Sequence, residues 1–362
     1  MHICYVCVGG FQHIQPYIDY FKGTGHRVSF IALSPTPDRG VTTYQVALAG
    51  RYSRTEGKWK YPLSMIRARR VVRQLKPDIL HTHYVTSGGL AGLVCNFHPT
   101  VTTAHGTDLS VGSRSRLWRP LLRRIFSQAT CVNTVSADLK NKAVALGVPD
   151  DKVRVLTLGV DTRFFAYQPR QPLPAPTPLR LLSTRRLEHV YDHPTAIKAL
   201  ALLRDAGIPC EMTFSGGGSL KATLQELVRT CHLDDRVRFL DAVSRSQVLQ
   251  LLHNHDVFLS HPRWDGISVA LLEAMATGLF PITSDLPVNR EWLDEGVTTL
   301  FHPVGDAAAL AQCLTRAYEQ PEFRLRAASL NRQRVEAYGD TTNNMRILET
   351  LYRELIDATK PT

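Results

Sequence analysis

HPRWDGISVALLEAMATGLFPITSD, running from His261 to Asp285, reads as a loop, a buried helix and the strand that follows it. Ser268 has the chemistry of an N-cap and Gly278 that of the residue that closes a helix, with a largely apolar run between them. Gly266 lets backbone approach a ligand closely. A helix start of this kind presents unpaired N–H groups and the positive end of the helix dipole, a seat suited to a diphosphate. Asp265 in the preceding loop is placed to hold hydroxyls on one side of that phosphate. Glu273, about a turn and a half up the helix at about 1.5 Å per residue, is placed to hold hydroxyls on the other. A sugar, a diphosphate and a ribose laid end to end would satisfy all three. Spacing alone leaves open a plainer alternative, a buried helix with one solvated and one capping acid.

Working outward, short apolar runs alternate with helical-period segments on both sides of this stretch. The first half predicts strands at 3–8, 27–33, 79–83, 100–104, 131–134 and 153–156, with helices near 14–22, 63–75, 117–126 and 136–146. Residues 168–178, QPRQPLPAPTP, hold five prolines in eleven positions and predict an extended linker. A second series follows, with strands at 179–184, 211–215, 236–240, 257–260 and 280–283. Its helices fall near 194–205, 220–231, 246–253, 268–277 and 306–319. This alternation predicts an α/β fold of two doubly wound, Rossmann-like lobes facing each other across a cleft. The first lobe covers 1–167 and the second 179–340.

Composition bounds the class. At 362 residues the chain has room for two full cores, and no apolar run reaches the ~18–20 residues that cross a bilayer. MHICYVCVGG lacks a basic leader and a cleavage site, and the seven cysteines form no disulfide framework, so the expectation is a cytoplasmic protein. Cys4 and Cys7 are spaced C-x-x-C, but three residues apart on a strand they point to opposite faces. His81 and His83 have no carboxylate cluster beside them, and no metal is expected. The net charge of +11 is uneven. Through residue 170 there are 23 Lys/Arg and 9 Asp/Glu, or +14; beyond it 20 and 23, or −3. The first lobe therefore has a surface fit for an anionic partner. Two stretches carry it, one with Trp59, Arg67 and Arg70, the other with Arg116, Trp118 and Arg123. Mixing arginine with tryptophan and aliphatics, both look like interfacial helices on an anionic membrane, or equally like a solvated basic face.

The run Asp265-Gly266-x6-Glu273-Ala274-Met275-Ala276-Thr277-Gly278 resembles the acidic-x7-Glu signature of retaining glycosyltransferase family four, whose fold is GT-B. The family's usual first residue is Glu, so Asp265 is a departure. The resemblance extends over nearly the whole chain in order. Gly9-Gly10 resembles the glycine turn near the donor phosphates. Thr103 to Asp108 resembles the His-Gly-Ser/Thr-Asp segment, whose histidine contacts the transferred sugar, a role that falls on His105. Arg186 in Ser183-Thr184-Arg185-Arg186-Leu187 aligns with an arginine that meets the donor diphosphate. The lysine expected five residues later is Tyr191, followed by Asp192 where glycine is usual. Either Arg185, Tyr191 or the helix terminus compensates, or the chemistry is slow. Gly216 and Gly217 match a glycine-rich turn, and Phe239 to Val243 the segment beside the donor base. Leu158 to Phe165 resembles the hinge-side pattern, and Asn289-Arg290-Glu291 a loop near the donor.

What the resemblance implies is a retaining, metal-independent glycosyltransferase of the hexosyltransferase type. Its co-substrate is a nucleotide sugar, a UDP-sugar ahead of a GDP-sugar, and no separate cofactor is expected. The donor contacts implied are Gly9, Gly10, Arg185, Arg186, Tyr191, Gly216, Gly217, Val243, Asp265, Gly266, Ile267, Ser268, Val269 and Glu273, with His105, Asp265 and Arg186 nearest the chemistry. The acceptor is unknown, with a lipid-linked or surface-glycan precursor and a peripheral place on the inner face of the cell membrane in view. Nucleic acid is not expected as a partner. The C-terminal helix, about 341–362, is expected to pack back on the first lobe. Competing readings are an inactive GT-B scaffold, motivated by Tyr191, and a GT-B epimerase or phosphorylase. A nicotinamide oxidoreductase ranks below them, since no G-x-G-x-x-G follows the first strand.

Overall fold

The structure is a computed structural model and describes residues 1–8, 12–47, 61–110, 118–171 and 177–360. The chain divides into two compact units, residues 1–158 with 342–362, and 159–341.

The first unit is built on a parallel sheet of β1 (His2–Cys7), β2 (Arg27–Ala32), β3 (Thr42–Gln45), β4 (Ile79–His83), β5 (Thr100–Ala104), β6 (Cys131–Thr134) and β7 (Val153–Val155). Their order is β3-β2-β1-β4-β5-β6-β7. Strand β1 is buried along its whole length because helices cover both faces, as an all-parallel sheet requires. Ile3, Tyr5 and Cys7 join one core with Tyr17, Ile18 and Phe21 of the helix Gln15–Gly23, and with Met345, Leu348 and Tyr352 of the helix Thr341–Thr359. Cys4 and Val6 join the other core, with Met65, Ala68 and Val72 of the helix Tyr61–Leu75. Cys4 and Cys7 thus lie in opposite cores, and both are free. Each large apolar side chain buried this way contributes about 1.5–3 kcal/mol.

The second unit repeats the plan with β8 (Leu179–Ser183), β9 (Cys210–Ser215), β10 (Val237–Leu240), β11 (Val257–Ser260), β12 (Phe280–Ser284) and β13 (Leu300–His302), in the order β10-β9-β8-β11-β12-β13. All pairings are parallel. From β8 the chain winds outward through β9 and β10, then returns to place β11 on the other side of β8. Doubly wound sheets hold ligands beyond the carboxyl ends of strands at such a switch point. Here the switch lies between β8 and β11, and in the first unit between β1 and β4.

The proline-rich stretch does not mark the boundary between the units, which falls at Leu158/Gly159. Residues beyond that point are anchored in the second unit. Phe165 is buried in its core, and the Arg170 guanidinium donates to the carbonyls of Gly278 (2.9 Å), Leu252 (2.6 Å) and His255. Val160 also bridges Asp340 in parallel, with Thr162 Oγ1 donating to the Asp340 carboxylate at 2.6 Å. Beyond the elements expected from the apolar runs and helical periods, the structure contains β3, β13 and the helices Leu90–Cys95 and Pro321–Tyr338.

Candidate functional site: a helix amino end, two acids and a buried arginine

The helix Val269–Thr277 begins beyond β11, at the switch point of the second unit. Ser268 is its N-cap, its hydroxyl accepting from Leu271 N at 3.1 Å. Gly278 closes it at φ 80°, and a Cβ there would stand 2.7 Å from the Tyr167 ring, so both backbone angle and space demand glycine.

Two loops meet at this helix start. The loop after β11 supplies Asp265, whose Oδ1 accepts from Gly266 N at 2.8 Å. The loop after β8 supplies Arg185. Its guanidinium donates to Asp265 Oδ2 at 2.6 Å and to Ser268 Oγ at 2.5 Å, and lies 4.2 Å from the centroid of the Tyr191 ring. The two loops are joined again where Arg263 N donates to Val190 O at 2.8 Å and the Arg263 guanidinium to Asp192 at 3.0 Å. Asp192 is buried at φ 48°, and its carboxylate also accepts from Thr195 Oγ1 at 3.0 Å. Where glycine is usual, this aspartate takes the left-handed angle and adds a cross-link.

The adjacent arginines part company. Arg186 has a side chain 73% exposed and, among the described residues, reaches only Glu188, at 3.5 Å, whereas the Arg185 side chain is 10% exposed. The arginine at the helix start is therefore Arg185 and not the one the motif alignment selects.

Glu273 lies on the second turn of the helix and is partly buried. Burial pushes its carboxyl up to about 7, against the opposing pull of Arg245 and Arg185. No described residue hydrogen-bonds that carboxylate. Arg245 was not singled out from the sequence. Its guanidinium lies 4.1 Å from the Phe164 ring centroid and 3.3 Å from Asp161, so only the fold brings it near Glu273.

The glycine turn after β9 packs on the loop after β8. Gly216 N donates to Leu240 O at 3.2 Å, and Gly217 O accepts from Leu187 N at 3.1 Å. A Cβ on Gly218 would stand 2.2 Å from Leu187 O, so this turn is glycine because two backbones touch. Ile267, Val269 and Val243 are partly buried.

In the first unit, His105 follows β5. Its backbone N donates to Asp108 at 3.1 Å, as does Gly106 N at 2.8 Å, while the other carboxylate oxygen accepts from Val85 N at 2.8 Å. Asp108 thus ties the ends of β4 and β5 together. The His105 ring stacks on Tyr84 with centroids 4.4 Å apart, and its Nε2 lies 3.0 Å from Nδ1 of His83. Behind them His83 stacks on His81 at 4.2 Å, and His81 bonds Thr103 Oγ1 at 2.6 Å and the Tyr352 hydroxyl. Burial and neighbouring imidazoles push His81 and His105 down to about 3, and His83 well down.

Arg67 and Arg70 are exposed on the helix Tyr61–Leu75, beside exposed Leu63 and Ile66. Trp118 and Arg123 are exposed on the helix Trp118–Gln128. Gly9, Gly10, Trp59 and Arg116 lie outside the described residues. No described helix is long and apolar enough to cross a membrane, and no described group of His, Cys, Asp and Glu is arranged to hold a metal ion.

Two family models match in succession: Glycosyltransferase Family 4 over residues 9–164 and Glycosyl transferases group 1 over residues 166–334. The amylovoran biosynthesis glycosyltransferase AmsK of Erwinia amylovora is 29% identical over 74% of this chain and 67% of its own. The N-acetyl-alpha-D-glucosaminyl L-malate synthase of Bacillus anthracis is 24% identical over 77% and 75%. Three of the curated relatives are matched over 62% to 67% of their own length. Among solved structures, sucrose-phosphate synthase from Thermosynechococcus elongatus superposes with a TM-score of 0.83 at 19% identity, covering 99% of this chain and 100% of that one. Anabaena HepE in complex with UDP-glucose gives 0.79 at 18%, covering 97% and 99%. The chain belongs to the group 1 glycosyltransferases of family four and has the GT-B fold.

Proposed function

We propose that the chain transfers a hexosyl unit, with retention of configuration, from a nucleoside-diphosphate sugar to an acceptor hydroxyl. The observation that carries this reading is the buried helix start at which Arg185, Asp265 and Ser268 converge, with the Glu273 carboxylate on the next turn. A helix amino end and a guanidinium together favour a diphosphate. Asp265 faces the sugar side of that seat, and Glu273 grips the ribose. A UDP-sugar is favoured over a GDP-sugar, in keeping with the UDP-glucose bound in HepE.

In the transfer step the anomeric C–O bond breaks and its electron pair passes to the diphosphate oxygen. The acceptor oxygen bonds to the anomeric carbon from the same face and gives up its proton to the departing diphosphate. Charge building on that group is met by Arg185 and the helix amides, so the positive charge required comes from the protein without a metal ion. His105 supplies the first unit's hydrogen bond to the transferred sugar, and its low proton affinity keeps it a neutral partner. The basic first unit is proposed to meet an anionic membrane on the cytoplasmic side, where a lipid-linked or surface-glycan precursor would be found. AmsK, named for amylovoran biosynthesis, supports an acceptor of that kind.

Thermal unfolding with UDP, GDP and their sugars tests the reading. A ligand that binds only the folded chain adds about 2.7 kcal/mol at a hundred times its Kd, and Glu273→Ala should abolish that gain. If none of these ligands shifts the wild-type transition, the donor assignment is wrong.

A further inference from the structure

The environment of Arg185 is built from three directions. Asp265 takes one N–H, the Ser268 cap takes another, the Tyr191 ring lies against the guanidinium, and the side chain is 10% exposed. Its Nε is buried and has no partner. Placing a cation at a helix amino end is electrostatically unfavourable, because the helix dipole is positive there. One carboxylate offsets the guanidinium but leaves the field of the helix uncompensated. The arrangement therefore has spare N–H capacity and spare positive potential at one place, which is what an incoming polyanion needs.

Tyr191 explains how the guanidinium stays there. It sits at the end of a short 3-10 turn, His189–Tyr191, whose continuation Asp192 is cross-linked to Arg263 and Thr195. The ring is thus anchored by its own backbone, and its electron-rich face attracts the cation lying over it. A long flexible arginine becomes a directed one.

Resting on the reading that this helix end seats a nucleoside diphosphate, we propose that Tyr191 is a positioning residue that holds Arg185 as one arm spanning the leaving diphosphate and Asp265. The arm joins the group that stabilises departure to the acid that orients the sugar. The aspartate at 265 fits this arrangement, because Arg185 closes on the short carboxylate directly at 2.6 Å. It also accounts for a first acid shorter than the glutamate usual in the signature.

Calorimetric titration with UDP, and saturation-transfer NMR with uridine, tests the proposal on the full chain. Tyr191→Leu should weaken UDP about tenfold while leaving uridine unchanged, and Tyr191→Phe, which keeps the ring face, should bind UDP as the wild type does. Arg185→Ala should weaken UDP further, and Tyr191→Lys on that background should recover affinity by returning a cation to the same place. Unaltered UDP affinity in Tyr191→Leu overturns the proposal, as does equal loss of UDP and uridine, which would mean a general disturbance of the loop. A wild-type chain that binds neither UDP nor GDP is a different result and removes the donor reading beneath it.

Discussion

Nδ1 of His83 and Nε2 of His105 face each other at 3.0 Å, so one of the two neutral rings carries the shared proton and the other accepts it. The pair sets which His105 nitrogen is left for a ligand. His83→Phe removes that constraint while keeping an aromatic ring in the stack. The expectation is a fall in kcat for sugar transfer of about tenfold with little change in donor KM. A variant with wild-type kcat would show that the pairing has no part in turnover.

Stability should fall on the acid side well before carboxylates protonate. His81 and His105 are pushed down to about 3 and His193 to about 4, chiefly by burial. An unfolded chain takes up those protons near 6.5, whereas the folded chain does not until pH 3 to 4. Unfolding therefore binds protons across that window, and stability drops as the pH falls through it. Urea midpoints measured at half-unit steps from pH 7.5 to 4.5 should decline steadily below 6.5; a flat profile down to 5 would contradict the burial of these rings.

Glu273 works in the opposite sense. Its folded value of about 7 lies above the unfolded 4.5, so its ionisation costs stability as the pH rises through that interval. Glu273→Gln should stabilise the chain at pH 8 by on the order of 2 kcal/mol and have little effect at pH 5. The same variant should lose nucleotide affinity, and wild-type UDP affinity should rise between pH 6 and 8 as the carboxylate forms. Equal gains in Tm at both pH values would mean that charge is not the cause.

Two neighbouring glycines separate a steric demand from mere looseness. Gly218→Ala brings a methyl to 2.2 Å from Leu187 O, while Gly217→Ala meets nothing within 4 Å. Denaturant unfolding should show a loss of about 1–3 kcal/mol for the first and a change within about 0.5 kcal/mol for the second. Similar values for the two would remove the close approach between the loops.

The first unit's basic helices give a salt-dependent prediction. Replacing Arg67, Arg70 and Arg73 together by serine should weaken sedimentation with phosphatidylglycerol vesicles by roughly a hundredfold, at about 1 kcal/mol per charge near an anionic surface. Wild-type binding should itself fade with added salt. Binding to neutral phosphatidylcholine vesicles at the same strength would point away from electrostatic docking.

Much of this architecture was readable along the chain because buried parallel strands announce themselves as apolar runs, as in β1, β8 and β11. The elements passed over lack that mark. Thr42–Gln45 is a half-exposed edge strand without an apolar run, and Leu300–His302 is three residues long. The helix Pro321–Tyr338 buries Arg324 and Asn331 among its apolar contacts, so its pattern is blurred. At the site, Ser268, Asp265 and Gly278 were legible from capping chemistry and spacing. Which of two adjacent arginines turns inward was not, since that depends on where Tyr191 and Ser268 stand in space. The His83–His105 pair was equally hidden, because 22 residues separate partners brought together by the pairing of β4 with β5.

The last helix has a consequence for biogenesis. Met345, Leu348 and Tyr352 complete a core whose other walls come from strands and a helix between Ile3 and Cys131, and Tyr352 closes on His81. On a ribosome, the second unit, contiguous in sequence, can condense as soon as it emerges, while the earlier-made one must wait for the segment after Thr341. The half translated first is the half finished last.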